Sequence, residues 1–332
     1  MSSNAVSAGA EPATAASSAA TGPEVAVICG PTAAGKSAVA MWLAHRRDVV
    51  LISADSRQVY RGLDIGTGKP GAADRARVPH RGIDVIDPGE RYSAAAWAAM
   101  ARTAIEDART EGRLPIIVGG TGFYISALFK PLFEEPELDP AARAAVQAGL
   151  SECSTEELKR WCTALDPSRA HLGRAQLLRA VEVALLTGAR LSDMHRGRAR
   201  PATHTARYLL VDPGLTLASK IEARAAAMFE SGWVDEVRRL QRTVPESAPA
   251  WNATGYRAAR RCSAGELSTT DALRHVIVET RQYAKRQRTW FRNQLSNDRV
   301  QRLVPDEPGW EKTVERWCDA AESRVPSAES RL

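Results

Sequence analysis

The stretch GPTAAGKS (30–37) stands between VAVIC (25–29), a short β-branched apolar run, and AVAMWLAHRR (38–47), which has helical spacing. Such a join leaves few options: the apolar run is buried on both faces, as in a parallel sheet, and the helix crosses back over that sheet. The spacing fits G-x-x-x-x-G-K-[ST], so Gly30, Pro31, Thr32, Ala33, Ala34, Gly35, Lys36 and Ser37 form a phosphate cradle. Glycines let successive backbone N–H groups turn inward on an anion, and the helix N-terminus adds its positive end. Lys36 brings a point charge to the terminal phosphate and Ser37 a hydroxyl to Mg²⁺. The motif specifies a polyphosphate but not which one, since cleavage of ATP and departure of pyrophosphate use the same cradle.

The alternation continues. VVLIS (49–53) reads as a second buried strand, and SAAAWAAMARTAIEDARTEG (93–112) as a helix capped by Ser93 and closed at Gly112. LPIIVGGTGFY (114–124) reads as a third strand ending in a glycine turn. This predicts an α/β chain: a P-loop NTPase-like parallel sheet flanked by helices. The rhythm breaks after Leu132, where several short helices follow, and returns with ARYLLVD (206–212) and the helix SKIEARAAAMFESG (219–232). The expected organisation is a disordered tail (1–23), a catalytic core (24–132 and 205–310), a helical insertion domain (133–204) and a poorly ordered C-terminal tail (311–332).

At 44% hydrophobic and 25% charged, the 332 residues have an ordinary globular composition. No run of about eighteen apolar residues is present, which excludes a transmembrane helix. The net charge of +6 suits a polyanionic partner without requiring one. Five scattered cysteines, none in a CxxC pair, argue against a disulfide framework or structural zinc and for a reducing compartment. The first 22 residues contain no Lys or Arg, unlike a secretory or transit signal, so the expected location is cytoplasmic.

Asp55 follows the second strand, at the edge where ligands collect in open α/β sheets. A carboxylate there can hold Mg²⁺ through water, accept a proton from a nucleophile, or simply cap a turn; position alone leaves all three open. The loop GLDIGTGKP (62–70) adds Asp64, Thr67 and Lys69, and VGGTGFY (118–124) adds Thr121. Three such loops converging on one phosphate cradle point to a site.

Together GPTAAGKS, ADSRQVYRGLDIGTGKP (54–70), VGGTGFY and TRQYAKRQRTWFR (280–292) resemble the tRNA dimethylallyltransferase (tRNA isopentenyltransferase) family. The resemblance runs from about Val25 to Arg292 and is carried most specifically by the second and fourth motifs. It implies transfer of the dimethylallyl group of dimethylallyl diphosphate to the exocyclic amine of the adenosine 3′ of the anticodon, with Mg²⁺ required and pyrophosphate leaving. It further implies Asp55 as general base, Thr121 as a diphosphate ligand and Arg224 as the cation meeting the leaving charge. Ser56, Arg57 and Gln58 lie where the family holds the target base. The helical insertion, with Arg143, Gln176 and Arg179, resembles the family's tRNA-gripping lobe, and Gly255, Tyr256 and Arg257 match a further tRNA segment. Lys285, Arg286 and Arg288 would meet the phosphates of an anticodon stem-loop, while Tyr283, Trp290 and Phe291 could stack on bases but read rather as core residues. The chain is expected to act as a monomer with no membrane association.

Two departures from the family pattern touch the tRNA contacts: Gly173-Arg174 before Gln176, and Trp251-Asn252-Ala253-Thr254 before Gly255. A P-loop small-molecule kinase, a prenyltransferase acting on free AMP or ADP, and a non-catalytic RNA-binding protein are the competing readings. The first leaves the basic C-terminal helix without a purpose, the second does so for the insertion, and the third does so for Lys36 and Asp55.

Overall fold

The computed structural model describes residues 23–130, 132–133, 138–197, 199–200, 203–295 and 297–322. The expected N-terminal tail, apart from Pro23, and the last ten residues lie outside them.

The chain opens with β1 (Glu24–Cys29), α1 (Lys36–Ala44) and β2 (Val49–Ala54), then α2 (Ala72–Arg77) and β3 (His80–Arg81). α3 (Ala94–Thr110), β4 (Leu114–Gly119) and α4 (Gly122–Phe129) follow. The strand expected over 114–124 therefore stops at Gly119, and Phe123 and Tyr124 belong to a helix. β5 (Leu132–Phe133) and β6 (Ala199–Arg200) pair antiparallel and bracket α5 (Pro140–Glu152), α6 (Thr155–Leu165), α7 (Arg174–Thr187) and α8 (Leu191–Gly197). β7 (Thr205–Val211), α9 (Leu217–Glu230), α10 (Trp233–Leu240), α11 (Tyr256–Ser263), α12 (Thr269–Gln294), β8 (Val300–Leu303) and α13 (Trp310–Glu322) complete the described chain.

The main sheet has strand order β3-β2-β4-β1-β7-β8, and every pairing is parallel. β2 is buried along its whole length and β1 from its second residue on, which is why both are apolar without alternation. Register aligns their ends: Cys29 and Ala54 both stand beside Gly119. The loops after β1, β2 and β4 therefore leave the sheet along one edge, and the three glycine- and aspartate-bearing segments meet there.

Each face of the sheet carries its own core. On one, Trp97, Ala101 and Ile105 of α3 pack with Tyr124, whose ring stacks on Trp97 at 5.2 Å, and this cluster continues into Trp233, Tyr256 and Phe291. On the other, Val39 and Leu43 of α1 pack against Val314, Trp317 and Cys318 of α13. The segment from 311 is thus a packed helix through residue 322, in place of the poorly ordered tail expected there. Val314, Trp317, Cys318 and Ala321 recur at i, i+3, i+4 and i+7, one apolar stripe wide enough to bury. The helices between β5 and β6 have a separate small core of Leu150, Leu158, Cys162, Leu177 and Val181. Among the described residues, no helix is long and apolar enough to cross a membrane.

Candidate active site

The phosphate cradle is bent by three residues with positive φ: Gly30 (148°), Ala33 (61°) and Gly35 (93°). At Gly30 a Cβ would collide with the Val211 carbonyl of the neighbouring strand, so only glycine fits. Lys36 is the first residue of α1, and its ammonium donates to Pro31 O at 2.7 Å. Burial, and next the positive charge of Arg224, push the Lys36 pKa down to about 8, while Asp55 and Cys29 pull the other way. Ser37 is exposed on the first helical turn.

Beyond β2, Asp55 Oδ1 accepts the N–H groups of Arg57 at 2.8 Å and Gln58 at 3.4 Å. The capping role is therefore present, and it uses one oxygen only; Oδ2 makes no hydrogen bond to a described residue. Thr121, which donates its N–H to Ala54 O at 3.0 Å, accepts Ser56 N–H on Oγ1 at 3.0 Å. Thr121 thus fixes the 55–58 turn from behind. Gln58 accepts from Ser53 Oγ at 2.9 Å and donates to the carbonyls of Thr67 and Gly68. Arg224 on α9 also donates to Thr67 O, at 3.4 Å. Burial holds the Arg224 guanidinium below its ordinary pKa, with Asp55 opposing.

A cavity of about 490 Å³ opens between these parts, with Lys36, Ser37, Asp55, Arg57, Gln58 and Arg224 among its lining residues. Tyr283 of α12 joins the wall, its phenol pushed up to about 12 mainly by burial and so neutral at pH 7. Two cations, Lys36 and Arg224, and the Asp55 carboxylate share this one enclosure, so a leaving anion can be received and a proton taken within it. Hard oxygen donors, Ser37 and the Asp55 carboxylate, line the same space. No group of three or more His, Cys, Asp or Glu side chains among the described residues is placed to hold a metal. A Mg²⁺ ion here fits only as one shared with a diphosphate and waters.

Two side chains that organise the site were not singled out from the sequence. Glu236 of α10, 3% exposed, accepts the N–H groups of Asp64 at 2.9 Å and Ile65 at 2.6 Å, and the Tyr256 hydroxyl at 2.7 Å. It holds the 62–70 loop whose carbonyls orient Gln58 and Arg224. Gln287 of α12, 7% exposed, bridges Thr32 N–H and Gly120 O. Within the loop, Lys69 is consumed structurally: its ammonium donates to Tyr60 O, Asp64 and Asp84 at 2.5–2.7 Å.

The residues expected to meet RNA separate into groups. Lys285, Arg286 and Arg257 are exposed; Arg286 lies 5.8 Å from the Tyr283 ring centre, and Arg257 pairs with Glu279 at 3.3 Å. Arg288 instead forks onto Asp212 at 2.9 and 2.5 Å and onto Gly214 O, which locks α12 to the end of β7. Tyr256 is fully buried, so its side chain cannot touch RNA, and a Cβ at Gly255 would strike Trp233. In the helical insertion, Arg143 and Arg179 both pair with buried Glu182, and Gln176 accepts from Gly173 N–H at the start of α7. Phe291 is buried; Tyr283 and Trp290 are partly exposed.

A family described as IPP transferase matches residues 58–294, and one described as isopentenyl transferase matches residues 23–79. A tRNA dimethylallyltransferase from an Anaeromyxobacter species is 42% identical over 274 residues, covering 81% of this chain and 91% of that protein. One from Halorhodospira halophila is 43% identical over 284 residues, covering 83% and 92%. The crystal structure of a Staphylococcus epidermidis tRNA delta(2)-isopentenylpyrophosphate transferase superposes with a TM-score of 0.63 at 28% identity, covering 91% of this chain and all of that one.

Proposed function

The chain belongs to the tRNA dimethylallyltransferase family, and on that premise we propose that it moves the dimethylallyl group of dimethylallyl diphosphate onto N6 of the adenosine 3′ of the anticodon. It is an enzyme, a transferase that modifies tRNA. One observation carries the chemical detail: Lys36, Arg224 and Asp55 line the same cavity.

In this reading the N6–carbon bond forms as the carbon–oxygen bond to diphosphate breaks. The N6 proton passes to Asp55, held in place by the Arg57 and Gln58 amides. The departing negative charge meets Lys36 and Arg224, which already line the cavity. Ser37 would contribute to Mg²⁺ binding, and the ion when bound would supply further charge neutralisation on the diphosphate. A target adenosine in a single-stranded anticodon loop leaves its stack at modest cost. The helical insertion (133–204) would grip the tRNA, with Lys285, Arg286 and Arg257 contacting phosphates. The five cysteines among the described residues form no disulfide with one another, which accords with a reducing, cytoplasmic setting, and the enzyme is read as a monomer.

The names of the relatives favour tRNA as acceptor over a small-molecule kinase or a free AMP or ADP prenyltransferase. Mass analysis of an anticodon stem-loop incubated with dimethylallyl diphosphate tests this: one five-carbon adduct on the adenosine is expected. Adduct on free AMP alone, or phosphate transfer from labelled ATP, would overturn it.

Two expectations follow from the geometry. A Lys36 with a pKa near 8 binds the diphosphate in its protonated form, so affinity is present below that pH and lost as pH rises through it. kcat/KM for dimethylallyl diphosphate should accordingly fall by up to about tenfold per pH unit above about 8. Steady-state rates from pH 6.5 to 9.5 check this, and a flat alkaline limb would contradict it. Separately, Arg286→Gln should weaken tRNA binding and reduce the salt slope by about 1, leaving stability unchanged. Arg288→Gln should instead cost roughly 1 kcal/mol of stability, because it strips Asp212 and Gly214 of their partner at a partly exposed site. Salt-dependent binding isotherms and urea melts of the two variants separate these effects.

A further inference from the structure

The Gln287 carboxamide touches two peptide groups, and each is held again at its other end. The Pro31–Thr32 peptide gives its N–H to Gln287 Oε1 at 2.8 Å, and its carbonyl accepts from Lys36 Nζ at 2.7 Å. The Gly120–Thr121 peptide accepts from Gln287 Nε2 on its carbonyl at 2.8 Å and donates its N–H to Ala54 O at 3.0 Å. In a trans peptide the two groups point in opposite directions, so clamping both removes the rotation of that plane. The carboxamide orientation is forced as well, because flipping it would set donor against donor and acceptor against acceptor. A Cβ at position 120 would meet Gln287 Nε2, so any side chain there would displace the carboxamide. One helical turn before Gln287, Ala284 packs with Ala33 of the phosphate loop, together with Leu217 and Ile221.

We propose that Gln287 is a positioning residue that registers the Lys36 side of the cavity against the Thr121–Asp55 side. Through the first peptide it determines where the carbonyl that receives Lys36 points. Through the second it holds the backbone of Thr121, whose hydroxyl fixes Ser56 and the turn carrying Asp55. The side chain need touch neither substrate. One glutamine thus sets the spacing between the group that takes the diphosphate and the group that takes the proton, and this rests on the prenyl-transfer reading.

Inorganic pyrophosphate is the probe, titrated calorimetrically at pH 7.5 into the full chain and two variants, with amide hydrogen exchange followed on the same samples. Gln287→Met takes away the partner of Thr32 N–H and of Gly120 O at once. Pyrophosphate should then bind about fivefold more weakly, the loss of roughly one hydrogen bond. Exchange at Thr32 and at Thr121 should both speed up by about fivefold or more, while the central strands of the sheet keep their protection. Gln287→Glu keeps an acceptor for Thr32 N–H but sets an oxygen against Gly120 O, so exchange should speed up at Thr121 and not at Thr32.

Faster exchange confined to the two clamped peptides is a signature that loss of packing would not produce. Faster exchange spread evenly over the sheet, with a lowered melting temperature, would reduce Gln287 to a packing residue and overturn the proposal. Unchanged pyrophosphate affinity in Gln287→Met would do the same. Should Gln287→Met fail to fold, Gln287→Glu decides alone, with faster exchange at Thr121 but not at Thr32 supporting and equal exchange at the two refuting. Because pyrophosphate binding is read without turnover, failure of the unsubstituted chain to prenylate a stem-loop counts against the proposed function and not against this assignment.

Discussion

Replacing Asp55 with Asn should lower the rate of prenyl transfer by about 10²–10⁴-fold, the usual span for removing a general base. Affinity for the anticodon stem-loop should change by less than about threefold, because the loss is confined to the transition state. Asn is the informative choice. Its amide oxygen still accepts the N–H groups of Arg57 and Gln58, so the turn that Asp55 caps survives, and only the ability to take a proton is removed. Ala would confound that chemical loss with a cap worth about 1 kcal/mol. Single-turnover rates with saturating tRNA, set beside direct binding isotherms, decide the matter; equal loss in both would mean that Asp55 binds the base and does not act on it.

Glu236→Leu should destabilise the fold by about 3–5 kcal/mol, measured as a urea midpoint shift at constant m. Leucine leaves the amides of Asp64 and Ile65 and the Tyr256 hydroxyl without their common acceptor in a dry environment. Gln can keep an oxygen toward the two amides and turn its NH₂ toward the phenol, so Glu236→Gln should cost only about 1–2 kcal/mol. The deficit should extend to activity, since the same loop presents the Thr67 and Gly68 carbonyls that orient Gln58 and Arg224. A Leu variant as stable as the parent would show that the loop finds another acceptor.

Parts of this site announced themselves in the sequence because their signals are local. The phosphate loop is eight consecutive residues between a strand and a helix, and Asp55 stands immediately after an apolar strand. Glu236 and Gln287 carry no such signal. Each lies in a helix crowded with charge, WVDEVRRL and AKRQRTWFR, where one more polar residue reads as solvated surface. Their partners are about 170 residues distant, at Asp64 and Gly120. Charge counting was equally blind to the difference between Arg286, which is exposed, and Arg288, Arg143 and Arg179, which serve the carboxylates of Asp212 and Glu182. The last helix is a different case: its i, i+3, i+4, i+7 stripe is present in the sequence, but a Pro-Gly pair, 308–309, stands just ahead of it, and such pairs usually punctuate ordered structure.

The bond from Thr32 to Gln287 joins residues 255 positions apart. On the ribosome, the anion-binding loop therefore emerges long before the helix that steadies it. Until residue 287 has left the exit tunnel the nascent chain holds an unfinished pocket, and tight capture of a diphosphate should begin only then. Chains cut short before that residue should compete poorly with longer ones for the same anion.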